Sequence, residues 1–360
     1  MLADGVDLRP ALTRLYGKAA PAFLLKKLKG DASTRSYYRV ECSGDVPPDR
    51  PRSLIAMRLP EDPLGSSDER TGSEAPTELP FVDVQRMLAR RGIAVPRIYV
   101  DDTPRRVLLL EDLGDETFEQ RLLQTPRERW PDAYGDAVDL LSRMHRACAE
   151  ARPDESIAFR RSFEPSLLRW ELDHFREWGL EALAGPLSSA DRGALDRAFD
   201  KLSGEVAALE RGFVHRDYQS RNLMWAGGST LTVIDFQDAL EGPAVYDLVA
   251  LLCDSYVDLS PSLQDAMIER YARATTRDAD TLRRAFWCVA AQRKLKDAGR
   301  FVFIDRVRGN PDFLRWYPQS LVYAGRALRT SGYPEVFALL ERLLPGFPDR
   351  APVPAAVSRT

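Results

Sequence analysis

Between Ala22 and Leu110 the apolar residues come in short runs divided by turn residues: Ala22 to Leu28, Tyr37 to Cys42, Leu54 to Leu59, Arg97 to Val100 and Val107 to Leu110. Runs of that length, bounded by Gly, Pro, Asp and Ser, predict five strands. Within this region Phe81, Val84, Met87 and Leu88 repeat with a helical period that stops at Gly92, so one amphipathic helix is expected over Phe81 to Arg91. Beyond Thr117 the helical period dominates: Phe118 to Leu123, Trp130 to Cys148, Pro165 to Trp178, Ser189 to Leu209, Tyr246 to Tyr256, Ser262 to Thr275 and Thr281 to Arg300. A loop and a short hairpin between Phe213 and Tyr246 interrupt it. The pattern predicts an α+β chain. A small antiparallel β-sheet with one main helix occupies 1–110, a turn follows over 111–116, and a larger, mostly α-helical part spans 117–345. Pro60 to Pro80 has no apolar period and is expected to be a long mobile connection, either a tolerated insertion or a flap near a substrate cleft. The Pro-rich stretch 346–360 is expected to be a flexible tail.

Composition narrows the partners. With 360 residues, 44% of them hydrophobic, the chain can bury a large core, and 51 basic against 54 acidic residues leave a formal net charge of −3. No field draws it to nucleic acid or to an anionic membrane, so neither is an expected partner. No apolar stretch has the length of a membrane span, and the start MLADGVDLRP lacks the basic-then-apolar pattern of a signal peptide, so a cytoplasmic location is expected. Cys42, Cys148, Cys253 and Cys288 are scattered without a C-x-x-C pair, which favours free buried thiols over a zinc site.

Chemistry concentrates in the interruption. FVHRDYQSRNLMW, from Phe213 to Trp225, is followed by LTVIDFQDALEGPAVYD, from Leu231 to Asp247. His215, Asp217 and Asn222 have the H-x-D-x4-N spacing of a phosphoryl-transfer loop, and Asp235 stands at the end of the next apolar run. Such transfer demands little covalent work of a protein; it demands that a metal ion, a nucleotide and an acceptor hydroxyl be held in line. Asp217 is the expected group facing the hydroxyl, and Asn222 and Asp235 the expected oxygen ligands of Mg²⁺. Either fragment alone reads as ordinary turn and strand-end polar residues. Their order and spacing together point to catalysis.

The same residues carry a resemblance. Val214 to Asn222 and Val233 to Phe236 resemble the aminoglycoside phosphotransferase and choline kinase-like superfamily. GDASTRSYYRV from Gly30, FVDVQRMLARRGIAVPRI from Phe81, HRDYQSRNLM, DFQDALEGPAVYDLVALL and QRKLK from Gln292 are together similar to bacterial anomeric sugar kinases of cell-wall recycling, over roughly residues 20–325. The resemblance implies a bilobal protein-kinase-like fold, with a hinge at 111–116, a catalytic loop at 213–225 and a metal motif at 233–238. It implies ATP and Mg²⁺ as cofactors and a small-molecule acceptor, an amino sugar such as N-acetylmuramate or N-acetylglucosamine. Gly30, Ser33 and Arg35 in the loop joining the first strands, Arg58, and the backbone at Glu111 and Leu113 are then nucleotide-binding candidates. His215 and Asp247 are the expected structural supports of the loop, Asp247 being equally an ordinary acid at a helix N-terminus. Arg293, Lys296 and Asp238 are the substrate-binding candidates, the two cations for an acceptor carboxylate, although a basic run is commonly a solvated face.

One departure stands out. The third strand, Leu54-Ile55-Ala56-Met57-Arg58-Leu59, holds no lysine for the nucleotide phosphates; Arg58 is its nearest cation, with Asp83 or Glu78 as acidic partners. Two alternatives follow from the resemblance: an aminoglycoside or choline-like phosphotransferase, whose cationic acceptor calls for an acidic pocket, and a nucleotide-binding pseudokinase. His145 and His174, inside helical patterns, read as packing or surface residues.

Overall fold

The computed structural model describes residues 7–17, 20–28, 35–64 and 76–356. Gly30 and Ser33, and the middle of the Pro60 to Pro80 connection, lie outside the described residues. The chain divides into two compact units, Met1–Glu116 with Met224–Gln237 and Thr117–Leu223 with Asp238–Thr360.

In the first unit the five expected strands form: β1 (Ala22–Lys27), β2 (Ser36–Ser43), β3 (Ser53–Arg58), β4 (Ile98–Asp102) and β5 (Val107–Glu111). They make one antiparallel sheet in the order β1-β2-β3-β5-β4. The pleat sends Tyr38, Val40, Leu54, Ala56, Val107 and Leu109 into a core, which α1 (Arg9–Tyr16) covers through Leu8, Leu12 and Leu15. The expected amphipathic helix is α2 (Pro80–Arg90), burying Phe81, Val84, Met87 and Leu88. Behind it docks the hairpin of β7 (Leu223–Ala226) and β8 (Thr230–Val233). Val233 donates its N–H to the Ala94 carbonyl at 2.9 Å, and the Phe236 ring lies 4.9 Å from that of Phe81.

The second unit is mainly helical: α3 (Phe118–Gln124), α4 (Trp130–Cys148), α5 (Pro165–His174), a π-helical stretch (Phe175–Glu181) leading into α6 (Ala182–Ala184), α7 (Ser189–Ala207), α8 (Tyr246–Leu252), α9 (Pro261–Ala274), α10 (Ala279–Arg308), α11 (Tyr317–Thr330) and α12 (Pro334–Leu343). Local chemistry sets the starts. Thr117 and Gln120 form a reciprocal capping box on α3, and Asp278 caps α10 through the Thr281 N–H. β6 (Arg211–Val214) and β9 (Leu240–Pro243) form an antiparallel pair at the root of the loop that runs from Val214 to Asn222.

The spine is α10, buried on nearly all sides along its middle. Where it crosses the end of α5 and the π-helical stretch, Gly299 meets backbone. A Cβ on Gly299 would sit 2.6 Å from the Phe175 Cα and 3.1 Å from the His174 carbonyl oxygen, and one on Gly179 would sit 3.2 Å from the Gly299 Cα. The tail expected to be free from Gly346 is seated as far as it is described: Phe347 and Ala351 are buried, and the Phe347 ring lies 5.2 Å from that of Phe337. No described helix is long and apolar enough to cross a membrane, and all four cysteines are free and buried.

The crossing predicts that Gly299→Ala costs about 2 kcal/mol, because backbone atoms and not a flexible side chain stand in the way of the new methyl. A urea midpoint equal to that of the unaltered chain would refute it.

Candidate active site

The loop from Val214 to Asn222 hangs between β6 and β7, and the second unit holds it from three sides. Asp247, fully buried in the first turn of α8, accepts the backbone N–H of His215 at 2.7 Å and of Arg216 at 2.9 Å. Arg216 thereby keeps a φ of 82°, a left-handed conformation that a long side chain adopts only when its surroundings enforce it. The His215 ring, also fully buried, accepts the Asp217 N–H at Nδ1. Both expected supports of the loop therefore act on its backbone.

His145 joins them. Its Nε2 donates to Asp247 at 3.1 Å and its Nδ1 lies 2.7 Å from the Tyr271 hydroxyl. Sequence reasoning set this residue aside as packing, since its partner lies 102 positions away and nothing local signals the pair. Two further anchors sit beyond Asp217. Asp254 accepts both the N–H and the hydroxyl of Ser220. Arg221 makes a two-pronged pair with Glu119 at 2.8 and 3.0 Å and lies 3.8 Å from the centre of the Tyr256 ring, a stacked and paired role that a surface arginine does not have.

These contacts present Asp217 and Asn222 together. The Asn222 amide nitrogen donates to the Asp217 carbonyl at 2.9 Å, which turns its amide oxygen away from the loop. The Asp217 carboxylate remains 39% exposed, and Arg293 approaches it to 3.3 Å. Burial works against its charge, but the fields of Lys296, Arg293 and Arg216 outweigh burial and hold the carboxyl well below the usual carboxylate range.

Here one expectation is corrected. Arg293, a candidate for the acceptor carboxylate, is 1% exposed and already committed: it donates to the Arg216 carbonyl at 2.7 Å, faces Asp217, and lies 4.8 Å from the centre of the Tyr246 ring. It is a brace for the loop and reaches no acceptor. The run Gln292 to Lys296 is likewise no solvated face. Gln292 donates to Glu171 at 2.7 Å, Lys294 pairs with Asp297 at 2.7 Å, and Lys296 is buried 3.9 Å from Glu171, which also takes Arg216 at 3.2 Å. Asp238 is half-buried at the re-entry into this unit.

The first unit carries the remaining candidates. Asp235 follows β8 with a φ of 64° and takes a hydrogen bond from the Gln237 amide at 2.9 Å. Burial raises the nearby Tyr37 hydroxyl above its ordinary value and the Asp235 charge raises it further, while Arg35, hydrogen-bonded to Tyr37, opposes the shift. Arg35 and Asp235 thus share one neighbourhood. Arg58 is buried at the end of β3 and donates to the Leu59 carbonyl at 3.0 Å, and Glu78 is paired with Arg86 at 2.6 Å. The cation that sequence reasoning missed is Arg39 on β2. It forks onto Asp112 at 2.8 Å and reaches Asp115 at 2.8 Å, tying the segment that holds Glu111 and the half-buried Leu113 to the sheet. The acidic turn Asp112-Leu113-Gly114-Asp115 was the available signal.

Asp247→Asn keeps the shape of the side chain but not its capacity to accept three donors, so stability should fall by about 2 kcal/mol, read as a lowered urea midpoint. An unchanged midpoint would remove Asp247 from this role.

Comparison with known proteins gives the family and the fold. Residues 25–287 match the phosphotransferase enzyme family. The chain is 32% identical over 344 residues to the N-acetylmuramate/N-acetylglucosamine kinase of Pseudomonas aeruginosa, covering 93% of this chain and 92% of that protein. It is 29% identical over 326 residues to the enzyme of the same name from Neisseria meningitidis, covering 87% and 89%. Among solved structures, an ADP-bound aminoglycoside phosphotransferase superposes with a TM-score of 0.58 at 14% identity, covering 94% of this chain and 99% of that one. A choline/ethanolamine kinase family protein from Mesorhizobium loti does so with a TM-score of 0.58 at 15% identity, covering 95% and 100%. With its kinase-like fold and its H-x-D-x4-N loop in place, the chain belongs to the phosphotransferase enzyme family.

Proposed function

We propose that this phosphotransferase transfers the γ-phosphoryl group of ATP to the anomeric hydroxyl of N-acetylmuramate and N-acetylglucosamine, in the cytoplasm and with Mg²⁺. The observation that carries the choice of acceptor is the charge around Asp217: Arg293 at 3.3 Å, with Lys296 and Arg216 adding their fields. A cationic antibiotic or choline would meet repulsion there, whereas a neutral or carboxylated sugar would not. The names borne by the relatives from Pseudomonas aeruginosa and Neisseria meningitidis support the same acceptors.

In this reading Asp217 orients the acceptor hydroxyl. A carboxylate held so acidic is a weak base, so it takes the proton late, once the bond to phosphorus is forming, as a loose transition state allows. Asn222 and Asp235 are the proposed Mg²⁺ ligands. An amide oxygen and a carboxylate are the hard oxygen donors that this ion takes, and the Asn222 amide nitrogen, held on the Asp217 carbonyl, leaves the oxygen as the donor atom. When bound, the ion supplies charge neutralisation to the phosphoryl oxygens. Arg35 and Arg58, with the backbone at Glu111 and Leu113, are proposed to hold the nucleotide.

An ADP-release assay with ATP and Mg²⁺ should show turnover on the two acetylated sugars and none on an aminoglycoside or choline, and Asp217→Asn should lower kcat by about 10²- to 10⁴-fold while nucleotide affinity holds. Turnover confined to the cationic acceptors would overturn the assignment. A pH profile tests the electrostatics. Because its pKa is lowered in the folded protein, Asp217 stays ionised across the ordinary working range, so the acid limb of kcat/KM that it governs lies below the usual carboxylate range. Removing the largest lowering field with Lys296→Met should move that limb to higher pH; a profile that does not move would show that Lys296 does not set the Asp217 charge.

A further inference from the structure

The turn that follows α8 carries Tyr256. Its N–H donates to Asp254 at 3.0 Å, the same carboxylate that takes both donors of Ser220, so this turn and the loop beyond Asp217 share one anchor. Two contacts fix the ring. The Arg221 guanidinium lies 3.8 Å from its centre and is itself tied to Glu119 by the two-pronged pair. The Trp316 ring, ahead of α11, meets it edge-on at 5.3 Å with an interplanar angle of 85°.

The hydroxyl at the end of this fixed ring is unspent. Tyr218, Tyr271, Tyr317, Tyr323 and Tyr333 donate theirs to protein oxygens. Tyr256 is half-buried, and among the described residues its hydroxyl has no hydrogen-bond partner and is not sealed from solvent. Burial raises its pKa, and the charges of Asp254, Asp297 and Asp217 raise it further against Arg221, so the group keeps its proton throughout the working range and is a neutral donor. Asp217 is thus among the charges that reach the hydroxyl, while Arg221 of the same loop lies against the ring. The hydroxyl and the 39%-exposed Asp217 carboxylate belong to one neighbourhood.

We infer that the Tyr256 hydroxyl donates to the acetamido carbonyl beside the anomeric carbon of the acceptor, and is the contact that selects N-acetylated sugars. This rests on the proposed function and adds a specificity determinant to it. In N-acetylmuramate and N-acetylglucosamine the acetamido group sits on the carbon next to the one whose hydroxyl faces Asp217, so its partner has to stand beside that carboxylate. Its carbonyl oxygen is a neutral acceptor and calls for a donor. Arg293 is spent on the Arg216 carbonyl and Asp217, and Arg221 on Glu119. Tyr256 brings a proton without a charge, on a ring already held in place, so little freedom is lost when the sugar binds. Both sugars carry the group, and Tyr256 serves both alike, whatever else distinguishes them.

The test is Tyr256→Phe, which keeps the ring against Arg221 and removes only the hydroxyl. KM for N-acetylglucosamine and for N-acetylmuramate should rise about three- to tenfold, while kcat, KM for ATP and the urea midpoint hold. 2-Deoxyglucose, which has no acceptor atom on that carbon, should compete against N-acetylglucosamine with the same inhibition constant in the altered and unaltered enzymes. An unchanged KM for both sugars, or an inhibition constant for 2-deoxyglucose that rises in step with KM, would overturn the inference while leaving the proposed function standing. So would a loss confined to KM for ATP, which would place Tyr256 with the nucleotide. If the unaltered enzyme turns over neither sugar, the proposed function fails and the inference fails with it.

Discussion

The loop from Val214 to Asn222 depends on one buried carboxylate. Asp247 has given up its water and receives in exchange two successive backbone N–H groups, the imidazole of His145 and the first turn of α8. A buried ion costs several kcal/mol unless donors of this kind surround it. The exchange fixes the loop as well. Arg216 can hold its left-handed φ because its N–H and that of His215 point at one acceptor, and the reversal at Arg216 directs the Asp217 side chain outward while its neighbours go inward. Every later step, from the Asn222 amide resting on the Asp217 carbonyl to the approach of Arg293, is referred to that geometry.

Charge on α10 completes the arrangement. A helix buried on nearly all sides ordinarily carries apolar residues at its centre, yet here Arg293, Lys294, Lys296 and Asp297 stand there together. Each finds partners across the unit: the Arg216 carbonyl and Asp217, Ser255, Glu171, and within the helix itself. Such a network is weak evidence for stability, since apolar replacements of similar shape often do as well. Its chemical product is the strongly acidic Asp217, for which Lys296 and Arg293 supply the two largest fields that oppose desolvation.

Local pattern carried most of the fold. The five strands could be read because apolar positions alternate between turn residues, and α4 because nineteen residues keep one period. What escaped was either short or non-local. α1 is two turns long, and its Leu8, Leu12 and Leu15 are interleaved with Asp7, Arg9 and Arg14, too brief a period to separate from a polar terminus. β6 and β9 contain Gly212, Gly242 and Pro243 and exist because they pair with each other. The H-x-D-x4-N spacing of His215, Asp217 and Asn222 is local and stands in the sequence, whereas His145, Asp254 and Arg39 act on partners tens of residues away. The run Gln292 to Lys296 shows a limit of another kind. Charge is visible in a sequence and burial is not, so the same residues read as a solvated face until α11, α5 and the π-helical stretch close around them.

In the proposed reading, this division of labour lets a weakly basic carboxylate serve as the acceptor-facing group. A protonated carboxyl would offer an acceptor hydroxyl a competing donor. Surrounding Asp217 with fixed cations keeps it an acceptor only, which costs proton affinity and secures orientation. In a reaction whose transition state is loose and whose barrier is lowered mainly by positioning, orientation is the greater gain. In the proposed reading, the cations that hold Asp217 ionised, Lys296 and Arg293 on α10 and Arg216 on the loop, also bias which molecules approach it, so the choice of acceptor and the ionisation of Asp217 follow from one set of side chains.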